Sequence, residues 1–325
     1  MLVDPVMRGS LTTRPRAISL EAALIASLLV LLSSALVCAS EYGISTYRPG
    51  LMDLYAGILP PPGHGIVKSL FMFQDASARA VTEDGRIEVR THTVTYNEAV
   101  FAAYVTRLQV LGAHWAMGTI QMMRIASQSA DAGLHGGPLH NQSTTIGGLG
   151  DGIFIPAMFN WNFGQFHLTT AFSFYAPTGQ YSPTRIISIG LNRWAFEPDV
   201  GVTWMDRGGC EASLFTGYTI NTKNPADGYY SGQEFHADFA LVQHFANRSL
   251  FGISGYAFQQ TTADSGSSAV LGPFKGRVIA LGPIVGKTIN AGEIPVNFVL
   301  KYDVEFAEQN RSSGNELWFT ASILF

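Results

Sequence analysis

His236, Asp238 and His244 fall in the run EFHADFALVQHF, residues 234–245, where alternate residues share a side if the chain is extended. Two imidazoles and a carboxylate on one side are donor types of a divalent-metal site or an acid–base pair. Glu234 joins them. The same alternation groups Lys301, Asp303 and Glu305 in VNFVLKYDVEF (296–306), and Glu197 and Asp199 in AFEPDV (195–200). Against metal or acid–base chemistry stands a plainer one: ion pairing among side chains that share one polar face.

Other chemistry is thin. His135 and His140 in GLHGGPLHN sit in a glycine-rich stretch that reads as an exposed loop rather than a metal site. GGLGDG (147–152) resembles a phosphate cradle, but it precedes a strand-like run, whereas a dinucleotide fingerprint must open a helix. The sequence contains no G-x-S-x-G, H-E-x-x-H or P-loop. Some outer-membrane barrels are lipid hydrolases with a Ser–His pair on the rim, and no convincing pair stands out here. The expectation is a non-enzyme without catalytic residues, cofactor or metal. A net charge of −4 speaks against a nucleic-acid partner.

These side chains need strands to present them. The last ten residues, ELWFTASILF, alternate apolar Leu317, Phe319, Ala321, Ile323 and Phe325 with mostly polar or amphipathic neighbours. In 296–306, Val296, Phe298, Leu300, Tyr302, Val304 and Phe306 share one face, opposite Asn297, Val299, Lys301, Asp303 and Glu305. About twelve such runs are expected, near 65–75, 92–106, 114–125, 151–163, 165–177, 194–205, 209–222, 233–246, 248–260, 275–287, 294–306 and 315–325. Long connections alternate with short ones such as NFGQ and MDRGG, the pattern of long outer loops and short periplasmic turns. Every strand has an apolar face and no helices remain to cover them. The expected fold is therefore all-β, a transmembrane antiparallel barrel of about twelve strands of the outer-membrane type.

Two details bear on register. Trp194 and Trp204 share a face and lie roughly 23 Å apart along a membrane normal, matching the spacing of aromatic girdles. Pro198 interrupts that strand, and a bulge is the expected accommodation. Phe325, the terminal aromatic, is expected to face lipid where the last strand meets the first, and resembles the signal that barrels carry for their assembly machinery.

Composition agrees. Of the 325 residues 47% are hydrophobic and only 14% charged, well below soluble proteins. Arg8, Arg14 and Arg16 precede the apolar run 22–37, which reads as a secretory signal peptide cleaved after Ala39. Cleavage leaves Cys210 alone, so no internal disulfide is expected. The division is then 1–39 signal peptide, 40–64 N-terminal extension or plug with the stiff Pro60–Pro62 connector, and 65–325 barrel.

The segments GYTINTKNPADGYYSGQEFHADFALVQHF (217–245), GYAFQQTTADSGSSAVLGPFKGRVIALGPIVG (255–286) and LKYDVEFAEQNRSSGNELWFTASILF (300–325) resemble the meta-pathway of phenol degradation family. Its members are also described as sphingosine-uptake-like outer-membrane transporters. YRPG (47–50) and PPPG (60–63) resemble its N-terminal pattern. The resemblance implies a barrel in the outer membrane of a Gram-negative bacterium that admits small hydrophobic or aromatic compounds for catabolism. Its partners would be outer-membrane lipid, the assembly machinery and those solutes. Glu197, Asp199, Glu234, His236, Asp238, His244, Lys301, Asp303 and Glu305 are expected to line the lumen, with 125–150 and 178–193 as selecting loops. A structural or adhesive barrel and a lipid-modifying enzyme are the alternatives. An open lumen would favour the channel, a plugged one the structural barrel.

Overall fold

The computed structural model describes residues 44–82, 87–269 and 273–325. The expected signal peptide, 1–39, and residues 40–43 of the extension lie outside the described residues. Among the described residues there is no helix. The strands are β1 (Gly65–Thr82), β2 (Ile87–Val110), β3 (Ala113–Leu134), β4 (Leu139–Phe163), β5 (Phe166–Ala176), β6 (Ala195–Met205) and β7 (Cys210–Asn221). There follow β8 (Tyr229–Tyr230), β9 (Glu234–His244), β10 (Ser249–Gln260), β11 (Ser265–Gly266), β12 (Arg277–Ala291), β13 (Ile294–Gln309) and β14 (Ser313–Leu324). The short β8 and β11 pair with each other, and the other strands close into one barrel in which chain neighbours pair.

Closure joins β1 to β14 antiparallel, with Phe71 opposite Phe319 and Met72 opposite Trp318. At the rim the Gly65 amide donates to the Phe325 carbonyl at 2.8 Å, and Phe325 returns a bond to Gly65 at 3.0 Å. Closure leaves no sheet edge, so the strand backbones need no water, the condition for crossing hydrocarbon. The outer face is correspondingly greasy: Phe251 is 59% exposed, Leu241 49% and Leu300 43%. In β13 the exposed Leu300, Tyr302, Val304 and Phe306 alternate with buried Val299, Lys301, Asp303 and Glu305, the expected facing. Trp194 and Trp204 both lie on the outer side, Trp204 half-buried.

Two expectations need correction. The stretches 76–90 and 125–150 are largely strand rather than loop, because β1 to β4 run on for 18, 24, 22 and 25 residues. Pairing continues from Ala126 opposite Ile146 to Gly133 opposite Leu139, so the β3–β4 connection shrinks to residues 135–138. Beyond lipid both faces of a ribbon can be polar while its ladder persists, so polarity there mimicked a loop. GGLGDG likewise sits inside β4. The strict long–short alternation therefore fails at the far end, where 135–138 and 310–312 are also short.

The second correction concerns proline. Pro198 stands opposite Phe172, and the β6–β7 register is the same at Phe196–Ile220 as at Asp199–Gly217, so there is no bulge. Pairing on the β7 side lapses around Pro198 and resumes unshifted. The bulge belongs to Pro156, between Phe154–Phe174 and Ala157–Phe172 in the β4–β5 ladder.

Candidate functional site: an occluded lumen

Residues 44–64 lie inside the barrel, from the far mouth down to the rim where β1 begins. The path follows from their partners. At the far end the Thr46 amide donates to Glu234 at 3.0 Å, and the Thr46 hydroxyl donates to Asn221 at 2.7 Å. Tyr47 donates its phenol to Asp238 at 2.5 Å and stacks on His236, centroids 3.6 Å apart and planes 9° from parallel. Met52 donates its amide to the same Asp238 oxygen at 3.2 Å. Lower down, Tyr55 donates its amide to Glu211 at 2.7 Å, and Gly57 donates to Thr203 at 2.9 Å. Asn160 donates to the Gly57 carbonyl at 2.8 Å. The segment has little secondary structure of its own, so inward side chains satisfy its backbone.

Charge reinforces the seating. Arg48 pairs with Glu316, and Lys301 donates to the Gly50 carbonyl. Lys301 also meets Asp53 at 2.6 Å and Asp303 at 3.5 Å, and lies 4.7 Å from the Trp318 ring.

Small residues make room. A Cβ on Gly201 would lie 1.9 Å from the Ala56 carbonyl oxygen, so only glycine lets the segment pass this close to β6. A Cβ on Gly217 would lie 2.5 Å from His236 Nε2, in the space that His236 and Glu197 share.

The nine residues expected along the lumen all turn inward, but the inner segment covers most of them. Glu234, His236, Asp238 and Asp303 are fully buried, and Glu197, Asp199, Lys301 and Glu305 nearly so. His244 keeps a partly exposed ring 2.7 Å from Glu211. Their surroundings are seats for a chain segment rather than open water. His236 approaches Glu197 at 3.3 Å, Tyr175 donates to Glu197 at 3.0 Å, and Tyr256 donates to Glu305 at 2.6 Å. Among the described residues no group of three metal-ligating side chains could hold an ion. His135 instead sits 3.1 Å from Glu88, and His140 is exposed. Sequence reasoning missed Glu211 and Glu316, although the same alternation in β7 and β14 places both on the inner face. It placed Tyr47, Arg48 and Asp53 in an extension or plug but gave no sign of their partners, which lie far along the chain.

Two cavities flank the segment. The outer lies beneath the far mouth, among Thr91, Gln128, Arg124 and Arg193. The inner lies between the segment and β1–β7, among Leu51, Leu59, Phe101, Ile155 and Phe215. Ile153 and Tyr175 line both, so the cavities meet at these side chains.

A closed antiparallel barrel with a greasy exterior and a polar, chain-filled interior is an outer-membrane β-barrel, and such barrels reside in the outer membrane of Gram-negative bacteria. The chain belongs to the family described as "Putative MetA-pathway of phenol degradation", whose profile matches residues 75–321. An outer membrane channel from Pseudomonas putida F1 has a similar fold, with a TM-score of 0.59 at 12% identity, over 86% of this chain and 100% of that one. A FadL homologue from Pseudomonas aeruginosa overlaps more loosely, with a TM-score of 0.43 at 9% identity, over 91% of this chain and 97% of that one. No curated protein matches the sequence.

Proposed function

We propose that the barrel is a channel for small hydrophobic or aromatic compounds, serving their catabolism, with residues 44–64 as its internal gate. The observation that carries this reading is the pair of cavities that meet at Ile153 and Tyr175. The outer is edged by polar and cationic side chains at the mouth, and the inner is walled by aliphatic and aromatic ones next to the rim. This sequence suits a solute that enters from water and sheds its hydration deeper in. Family membership supports the link to aromatic breakdown. In this reading the inward carboxylates hold the gate, and residues 178–193, which carry buried Ile186, Ile187 and Ile189 into the mouth, shape entry.

Occlusion of the lumen favours a second reading, a barrel closed to solutes with a structural role. Uptake decides between them. A deletion strain should take up a labelled hydrophobic aromatic more slowly than wild type while growing normally on succinate, and purified protein in planar bilayers should conduct. Wild-type uptake together with a silent bilayer would leave the structural reading standing.

A further inference from the structure

The inner cavity has one feature that a simple greasy passage does not need. Lys68, on β1, faces inward across from Phe101 of β2, and its ammonium lies 5.9 Å from the Phe101 ring centroid. Among the described residues the ammonium has neither a hydrogen bond nor an ion pair, and the Asp53 and Glu211 carboxylates act on it only at longer range. The carboxylates on that side of the lumen are all engaged elsewhere. Asp199 accepts from Ser173 at 2.9 Å, and Glu197 accepts from Tyr175 and Thr219. Asp53 is paired with Lys301. Glu211 accepts from Ser213 at 2.6 Å and from the Tyr55 amide, and meets His244. A half-buried cation beside apolar side chains, with no carboxylate bound directly to it, attracts an anion that can reach it.

We propose that the inner cavity is a binding site for a monocarboxylate with an apolar body, aromatic or short-chain aliphatic, whose carboxylate pairs with Lys68. Phe101 flanks the ammonium, so a flat ring can lie against the Phe101 face while its acid group reaches Nζ. Leu51, Leu59, Ile155 and Met158 surround the rest of the ligand. Glu197 and Asp199 at the opposite wall repel a second acid group, so dicarboxylates are disfavoured. The inference rests on the reading of this cavity as part of a solute path, and assigns it a preference for acids over the neutral hydrocarbons of the same shape.

Calorimetric titration of the purified full-length barrel in detergent tests this, with benzoate, octanoate, toluene and phthalate as probes. Benzoate and octanoate should bind at least roughly tenfold more tightly than toluene or phthalate, the effect of one desolvated charge pair. Lys68→Met should remove that preference and leave toluene binding unchanged, while Lys68→Arg should keep it. Heat-modifiable gel mobility confirms that each variant is folded. Equal affinity for benzoate and toluene in the wild type, or a preference that survives in Lys68→Met, overturns the site. Conductance and uptake measured on the same samples separate the two ideas. Transport without acid preference refutes only the site, whereas acid binding without transport refutes only the channel.

Discussion

Lys301→Met isolates one tie between the barrel wall and the inner segment. Lys301 is almost fully buried and gives the segment two charge-assisted hydrogen bonds, to the Gly50 carbonyl and to Asp53. Its third neighbour, Asp303, belongs to the wall and is present whether or not the segment is docked. Bonds of this kind contribute ~1.5–3 kcal/mol each, so the docked state loses ~3–6 kcal/mol, offset in part by water reaching both groups on release. Taking the lower end, ~3 kcal/mol, the undocked fraction rises ~100-fold. The remaining anchors at Thr46, Tyr47, Arg48 and Tyr55 keep the wild-type geometry available. The assay is open probability in planar bilayers beside limited proteolysis within 44–64. Lys301→Met should raise both, and Asp53→Asn added to it should change little further, because Asp53 has by then lost its cation. Unchanged conductance and unchanged proteolysis, with the barrel still heat-modifiable, would refute the claim that Lys301 holds the segment. Full additivity of the two substitutions would show that they act through separate contacts.

Leu300→Arg places a charge on the lipid face and should cost ~2–4 kcal/mol in urea unfolding from vesicles, whereas inward Asn297→Arg should cost far less; the reverse order would mean the facing is off by one residue. Gly201→Val collides with the Ala56 carbonyl, so it should expose 44–64 to protease without unfolding the barrel, and a protected segment would refute the close approach. At the extended tip of β1–β3, well beyond the lipid band, the hydrogen bond from Arg90, with those from His135 and Arg79, holds the Glu88 carboxyl at about 2. A depressed carboxylate stabilises above its unfolded value and loses that contribution as pH falls towards about 2, so hydrogen-exchange protection at 88–92 and 131–135, relative to the intrinsic rate at each pH, should drop between pH ~4.5 and 2. Glu88→Gln should show the fast exchange at neutral pH and no such dependence.

The barrel was legible because its cause is local: a residue's face follows from parity along the strand, as β9 displays over 234–242 and β13 over 299–306. The extensions of β1–β4 were hidden because, outside lipid, parity no longer separates apolar from polar. Pro198 misled for a related reason. A missing N–H costs nothing where the neighbouring ladder can lapse, and sequence does not show which neighbour that is. The site was half legible. Alternation put His236, Asp238 and Lys301 on the inner face, but what covers them comes from Tyr47, Arg48 and Asp53, and no local pattern links those to their partners.

Arg48 and Glu316 are 268 positions apart, and Tyr47 and Asp238 are 191. Contacts of such separation form late, since the intervening chain must first surrender its freedom. Until β14 has zipped onto β1, the Glu316 carboxylate is not held beside the segment for Arg48 to meet. The inner segment is thus a report on assembly: it can seat fully only in a barrel whose seam has joined the right two strands in the right register. A seam slipped by one residue would turn Glu316 outward into lipid and leave Arg48 stranded, so the same contacts that block the lumen discriminate against misjoined barrels.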